Sequence, residues 1–381
     1  MAKIVYVVGG LLAPNGMSSV LSAKINYLAE HTDYELYMIL TEKAGQKWYY
    51  TINPKVHWVN FDINFDELDT MPLLKKLFFY QQKQRRYKKM FTDYLMEVRP
   101  DITVSTVRRE INFINDIPDG SKKVGEIHFN KSNYRNLHIP FLPAFVNRYL
   151  SQLWMGRLQK QIARLDSFVV LTHQDAAHWK ALTNLQVIPN FITHIPVEVS
   201  HGNHQRVIAV GRYDRVKGFD LLIEAWKQVC QYCSEWHLNI YGAGNRDEYQ
   251  QIADEMGLKE VVHCNGPVTD IDAEYVSSSL FVLSSRNEGF GLVLVEAMAA
   301  GLPVVSFNCP CGPSDIISDG QDGILVENGN IEKLAEAICW MIDHPQERKL
   351  YGQRARRNAM RFSEEKVMTM WRNLFQTLVT S

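Results

Sequence analysis

Short β-rich runs alternate with amphipathic helical stretches along the whole chain, the arrangement that parallel sheets with helices on both faces require. In the first half the pattern predicts strands near Lys3–Val8, Glu35–Leu40, His57–Asn60, Ile102–Ser105, Lys123–Ile127 and Ser167–Leu171. Helices are predicted near Met17–Glu30, Leu73–Val98, Phe145–Arg164 and Gln174–Leu182. In the second half strands are predicted near Arg206–Val210, His237–Tyr241, Val261–Cys264, Leu280–Ser284, Pro303–Ser306 and Gly323–Val326. Helices fall near Phe219–Cys233, Asp247–Met256, Leu292–Ala300 and Ile331–Ile342. Between the halves, Val187-Ile188-Pro189-Asn190 and a polar stretch from Ser200 to Gln205 read as a hinge. The pattern predicts an α/β protein of two doubly wound domains, with ligands expected at the carboxyl ends of the strands.

The almost wholly apolar stretch from Gly289 to Phe307 could suggest a membrane span, but Glu296, Gly301 and Pro303 interrupt it, so a buried helix followed by a buried strand is expected. No signal peptide is apparent at the start, where the apolar run Ile4–Val8 is short and ends at Gly9-Gly10. A reducing, cytoplasmic setting is expected for the six cysteines, all in the second half. Cys230 and Cys233 have CxxC spacing inside a helical pattern, with no second pair to complete a zinc set, so buried thiols are the expectation.

The formal net charge is −1, yet residues 1–190 hold 24 basic and 17 acidic side chains while 191–381 hold 17 and 25. A near-neutral total argues against a nucleic-acid binder. The whole excess of the first half lies in Lys75, Lys76, Lys83, Arg85, Arg86, Lys88 and Lys89, with no acidic residue between Asp69 and Asp93. Apolar residues interleave with these at helical spacing. Such a helix either lies on an anionic membrane through 73–91, with Phe141–Trp154 assisting, or packs its apolar stripe in the domain core.

Three segments could carry chemistry. The first is the turn Gly9-Gly10-Leu11-Leu12-Ala13-Pro14-Asn15-Gly16, which opens onto a helix N-terminus; its spacing fits neither a dinucleotide nor a P-loop signature. The second, Gly211–Gly218, crowds Arg212, Arg215 and Lys217 into one loop after a strand, a combination suited to a diphosphate. The third runs from Arg286 to Met298. Glu288 falls on a loop, a Gly-Phe-Gly turn follows, and Glu296 projects from an apolar helix where an unpaired carboxylate costs on the order of 2–7 kcal/mol. Sugar hydroxyls would supply the missing donors.

Glu288 and Glu296, with the intervening GFGLVLV, resemble the E-x7-E signature of retaining glycosyltransferases of the GT-B fold, family GT4. GRYDRVKGFDLLIEAW, the Ile188-Pro189-Asn190 segment, AMAAGLPVVSF, Gly323–Val326 and the closing Phe362–Phe375 are similar as well. The resemblance implies two Rossmann-like domains facing across a cleft. Residues 1–190, plus a crossover helix at about 362–381, would bind acceptor, and 191–361 the nucleotide sugar. Arg212 and Lys217 would neutralise the leaving diphosphate, and Glu296 would bind the ribose. Glu288 and the backbone of Phe290, Gly291 and Leu292 would hold the donor sugar and β-phosphate. Gly16 would admit the phosphates, and His128, at a strand end, would be the active-site histidine. Asn15 stands where many members carry a second glycine.

The implied reaction transfers a hexose or N-acetylhexosamine, with retention, from a nucleotide sugar to a glycan or lipid-linked oligosaccharide in surface polysaccharide biosynthesis. A UDP-linked donor is expected as co-substrate, with no cofactor and no metal, and the enzyme is placed at the inner face of the cell membrane. Rivals on the same fold are a UDP-sugar epimerase and a catalytically inactive sugar-nucleotide-binding scaffold. A glycan phosphorylase lacks its pyridoxal-phosphate lysine context.

Overall fold

The computed structural model describes residues 2–12, 16–131 and 143–380, the side chains of Leu73 and Leu74 excepted. Two compact units emerge. The first comprises Met1–Leu171, Ala176–Ile188 and Met368–Ser381, and the second Thr172–Asp175 and Pro189–Val367.

The first unit holds a parallel sheet of β1 (Lys3–Val8), β2 (Glu35–Leu40), β3 (His57–Asn60), β4 (Ile102–Ser105), β5 (Lys122–Glu126), β6 (Ser167–Val170) and β7 (Leu185–Val187), in the order 3-2-1-4-5-6-7. The second holds β8 (Arg206–Val210), β9 (His237–Tyr241), β10 (Val262–Asn265), β11 (Leu280–Leu283), β12 (Val304–Phe307) and β13 (Gly323–Val326), in the order 10-9-8-11-12-13. In each sheet the strand order reverses beside the first strand, between β1 and β4 and between β8 and β11. Loops leaving those neighbours diverge and leave a crevice at the carboxyl edge.

The helices are α1 (Gly16–His31), α2 (Leu73–Val98), α3 (Ala144–Ile162), α4 (His173–His178), α5 (Phe219–Tyr232), α6 (Arg246–Glu255), α7 (Ile271–Val276), α8 (Leu292–Ala299), α9 (Pro313–Ile316), α10 (Ile331–Asp343), α11 (Pro345–Ala359) and α12 (Glu364–Thr380). Most predicted elements lie within two residues of these bounds. The helix expected over Gln174–Leu182 is only His173–His178. The patterning missed β7, three residues at a sheet edge, and the short α7 and α9. It also missed α11, a strongly polar helix that opens with Pro345 at its first position.

The unit boundary falls at Ile188 and Pro189. Ser200–Gln205, expected to belong to the hinge, is fastened to the second unit instead: the Ser200 hydroxyl donates to the Ser278 carbonyl and the His204 N–H to Ser279 Oγ. Gly289–Phe307 forms the buried α8 and β12, as the sequence suggests, and no described helix is long and apolar enough to cross a membrane.

The basic segment resolves into two parts. Tyr87, Phe91, Leu95 and Val98 of α2 are buried in the core of the first unit, where Phe91 and Phe113 meet edge to face at 5.6 Å. The preceding turns leave Leu77, Phe78 and Phe79 exposed. Lys76, Lys83 and Lys89 pair with Asp69, Glu67 and Asp93 respectively. The core-stripe reading therefore holds for the second half of the helix.

Candidate functional site

In the second unit the switch point brings together loops that are distant in sequence. The loop after β8 turns through a short 3-10 segment capped by Asp214, whose Oδ1 accepts from the N–H groups of Val216 and Lys217 at 3.1 and 3.2 Å. Gly218 then starts α5 at φ 64°, and a Cβ there would lie 2.1 Å from the Ser284 carbonyl oxygen at the end of β11. Only a glycine lets the two loops pack this closely. Arg286 locks the contact. Its N–H donates to the Val216 carbonyl at 2.8 Å and its guanidinium to the Arg215 carbonyl at 2.8 Å. Both Asp220 oxygens receive its forked donors at 2.7 and 2.6 Å. Burial alone would raise the Asp220 carboxyl, but Arg286 holds it below the usual range.

The clamp sets Lys217 Nζ 2.7 Å from Glu288 Oε1, in a pair whose side chains are 18% and 9% exposed. The Ser285 hydroxyl donates to the same oxygen at 2.6 Å. A second glycine contact holds the far side: a Cβ on Gly312 would lie 2.0 Å from the Phe290 carbonyl. Phe290 is buried against Phe362, and Gly291, at φ 92°, caps α8, which begins at Leu292. Of the first-turn N–H groups of α8, that of Leu294 donates to the Gly291 carbonyl at 2.9 Å, and the helix N-terminus carries a partial positive charge.

One turn into α8, the half-buried Glu296 accepts from the Tyr275 hydroxyl at 3.3 Å. Burial pushes its carboxyl up to about 7; Tyr275 and Lys217 moderate the rise and Asp272 adds to it. Within the protein its donor is thus a tyrosine, on the unpredicted α7.

Lys217 lies on the loop after β8, and Glu288, Phe290, Gly291, Leu292 and Glu296 on the loop and helix after its neighbour β11. Arg212 does not join the Lys217–Glu288 pair. Its side chain is 70% exposed and paired at 3.0 Å with Asp214 Oδ2, on the carboxylate whose other oxygen caps the turn. Arg215 is exposed and contributes only its carbonyl. Asp214, Asp220, Ser285 and Tyr275 were not singled out from sequence. Asp214 alone carried a local signal, an aspartate three residues before Lys217 at a turn.

In the first unit, His128 lies two residues beyond β5 and is buried, its Nε2 3.0 Å from Glu126 Oε1. Gly16 is the exposed first residue of α1, and a Cβ there would meet nothing within 4 Å. No packing requires glycine at that position. Asn15, with Ala13 and Pro14, lies outside the described residues.

The six cysteines are free thiols, three of them buried. Burial pushes the thiol of Cys339 up to about 12, with Cys233 beside it, and that of Cys230 up to about 11. They are protonated at neutral pH.

Residues 191–358 match the model of the family described as glycosyl transferases group 1. A poly(ribitol-phosphate) alpha-N-acetylglucosaminyltransferase of Staphylococcus aureus is 31% identical over 256 residues, 66% of this chain and 52% of that protein. Across three relatives the chain spans 24% to 62% of their length. Among solved structures, S. aureus TarM, in a complex that includes UDP, superposes with a TM-score of 0.75 at 18% identity over 98% of this chain and 100% of that one. Sucrose-phosphate synthase from Thermosynechococcus elongatus superposes with a TM-score of 0.79 at 18% identity over all of both chains. The fold is GT-B, two parallel-sheet α/β domains.

Proposed function

Starting from a second unit that matches the model of the glycosyl transferases group 1 family over residues 191–358, we propose that the protein is a retaining glycosyltransferase acting in surface polysaccharide synthesis. It moves a hexose or N-acetylhexosamine from a UDP-sugar to a hydroxyl of a glycan or lipid-linked acceptor. The observation that carries this reading is the Lys217–Glu288 pair at the switch point, with Glu296 on the helix that follows. The UDP in the TarM complex and the polymer named for the S. aureus relative support it.

The chemistry follows from where charge develops. The bond from the anomeric carbon to the β-phosphate oxygen breaks, and its electron pair stays on the diphosphate. Lys217, released from Glu288 by the incoming phosphates, meets that charge together with the N-terminal turn of α8. Glu288, freed of its lysine, accepts from sugar hydroxyls, and Glu296 accepts from the ribose. The acceptor oxygen attacks from the face the diphosphate leaves, and its proton passes to a phosphate oxygen, so the anomeric configuration is retained. Incubation with UDP-N-acetylglucosamine or UDP-glucose should release UDP slowly by hydrolysis and form no isomeric UDP-sugar. Isomer formation would establish the epimerase instead, and no UDP release from any nucleotide sugar would leave a binding scaffold.

Glu296 predicts a proton linkage. With its carboxyl near pH 7 in the empty site, binding a ribose that donates to it favours the ionised form and releases a proton. UDP-glucose, whose phosphates do not titrate in this range, should therefore bind more tightly as pH rises from 6 and level off above about 7. Calorimetry in buffers of different ionisation enthalpy reads the released proton, and Glu296→Gln should abolish both effects.

Leu77, Phe78 and Phe79, beside the exposed Lys75, Arg85 and Lys88, favour contact with an anionic membrane. The protein should sediment with phosphatidylglycerol vesicles at low salt and not with phosphatidylcholine vesicles. A Phe78→Ser/Phe79→Ser variant that sediments unchanged would remove this assignment.

A further inference from the structure

The first unit buries an ion pair directly against His128. Lys24, on α1, and Glu126, the last residue of β5, have side chains that are each 1% exposed, and they contact one another through Nζ and Oε1. The same Oε1 lies 3.0 Å from His128 Nε2. Behind the lysine, Nζ sits 3.7 Å from the centre of the Trp371 ring on α12, in the geometry of a cation–π contact. Among the described residues the buried Tyr6 hydroxyl of β1 also feels the Glu126 charge.

A buried ion pair is a poor way to gain stability, since desolvating two charges costs about what their attraction returns. Its position offers another reason. Burial would raise the Glu126 carboxyl, but Lys24 foremost, with the His128 ring facing it, holds it well below the usual carboxylate range, so it is ionised at neutral pH. A carboxylate facing one nitrogen of a neutral imidazole selects the tautomer with the proton on that nitrogen. The other nitrogen, Nδ1, then keeps its lone pair. Among the described residues neither ring nitrogen, both buried, makes a well-aligned hydrogen bond, but Nε2 lies 3.0 Å from the Glu126 carboxylate whereas Nδ1 has no partner. A buried polar atom left open beside a strand end marks where a ligand hydroxyl supplies the missing donor.

We propose that Glu126, anchored by Lys24 beneath Trp371, is a positioning residue that holds His128 as its Nε2–H tautomer and offers Nδ1 to a hydroxyl of the bound sugar. The inference rests on His128 belonging to the reaction site. It also gives the C-terminal helix a role in the first unit beyond covering the sheet, because Trp371 seats the lysine that fixes the carboxylate.

The test uses full-length protein labelled with 15N-histidine, with the His128 ring signals assigned by their loss in His128→Asn. Wild type should show the Nε2–H pattern, and Glu126→Gln should lose it. With UDP-N-acetylglucosamine or UDP-glucose, Glu126→Gln should lower kcat on the order of tenfold to a hundredfold with little change in donor KM, and Glu126→Asp should restore part of the loss. Because Glu126→Gln strands Lys24, a Lys24→Met/Glu126→Gln variant removes both charges. It should melt near wild type yet turn over as slowly as Glu126→Gln. Wild-type turnover in the double variant, or an unchanged ring pattern in Glu126→Gln, would show that the pair is only structural and overturn the proposal. Normal turnover in His128→Asn would sink the site reading and this inference with it, whereas slow His128→Asn beside normal Glu126→Gln would sink this inference alone.

Discussion

Lys217→Ala is expected to lower turnover with a UDP-sugar on the order of a hundredfold to a thousandfold, equivalent to about 2.7–4 kcal/mol of transition-state stabilisation. The magnitude follows from where the ammonium sits. It is 18% exposed, fixed by a turn whose N–H groups are tied to Asp214, and it points at a carboxylate that a diphosphate displaces. The fixed charge needs no reorganisation as the bond breaks, which makes it worth more in the transition state than in the bound donor. The loss should therefore appear mainly in kcat. Lys217→Arg should recover little. The lysine stem runs so close to Gly211 that a Cβ there would lie 3.2 Å from its Cγ and Cδ, and a planar fork cannot take the path of a point charge. The melting temperature should change little, because Ser285 still donates to Glu288. Wild-type turnover in Lys217→Ala would remove the site assignment.

The candidate residues placed by chain geometry were legible in the sequence, and those placed by tertiary context were not. Alternation of apolar runs and helices placed β8 and β11 and so set Lys217 and Glu288 at the carboxyl ends of two strands, but that these strands are neighbours is seen only in the sheet order. The direction of Arg212 could not be read, because it pairs with Asp214 on the carboxylate whose other oxygen caps a 3-10 turn. Tyr275 was missed because α7 is only six residues long and shows no periodicity. The Arg286–Asp220 clamp joins residues 66 apart, and neither looks different from a solvated charge. Lys24 was the least legible of all. Its helix pattern admits a lysine at the surface, and its partner lies 102 residues away at the end of β5.

That burial makes Lys24→Met the substitution with the largest expected effect on stability, a loss of about 3–5 kcal/mol, as for other buried pairs broken on one side. Methionine fills much of the lysine volume and suits the Trp371 face, so the cost comes from the carboxylate left behind rather than from a cavity. For a unit of this size the melting temperature should fall by roughly 6–20 °C. The pH dependence separates this cause from simple mispacking. In wild type, Lys24 holds Glu126 ionised down to about pH 2, so its contribution is present above the ordinary carboxylate range and is lost only as pH falls from there through about 2. In Lys24→Met the larger of the two lowering groups is gone, His128 alone remains beside the carboxyl, and the expectation is that burial outweighs it and raises the carboxyl. The unfolded chain then ionises at a lower pH than the folded one, and the penalty grows as pH rises above about 4.5. The gap between variant and wild type should therefore narrow steadily from pH 7 to pH 4.5 in urea titrations. A gap that stays constant over that range would place the cost in packing and not in the stranded charge.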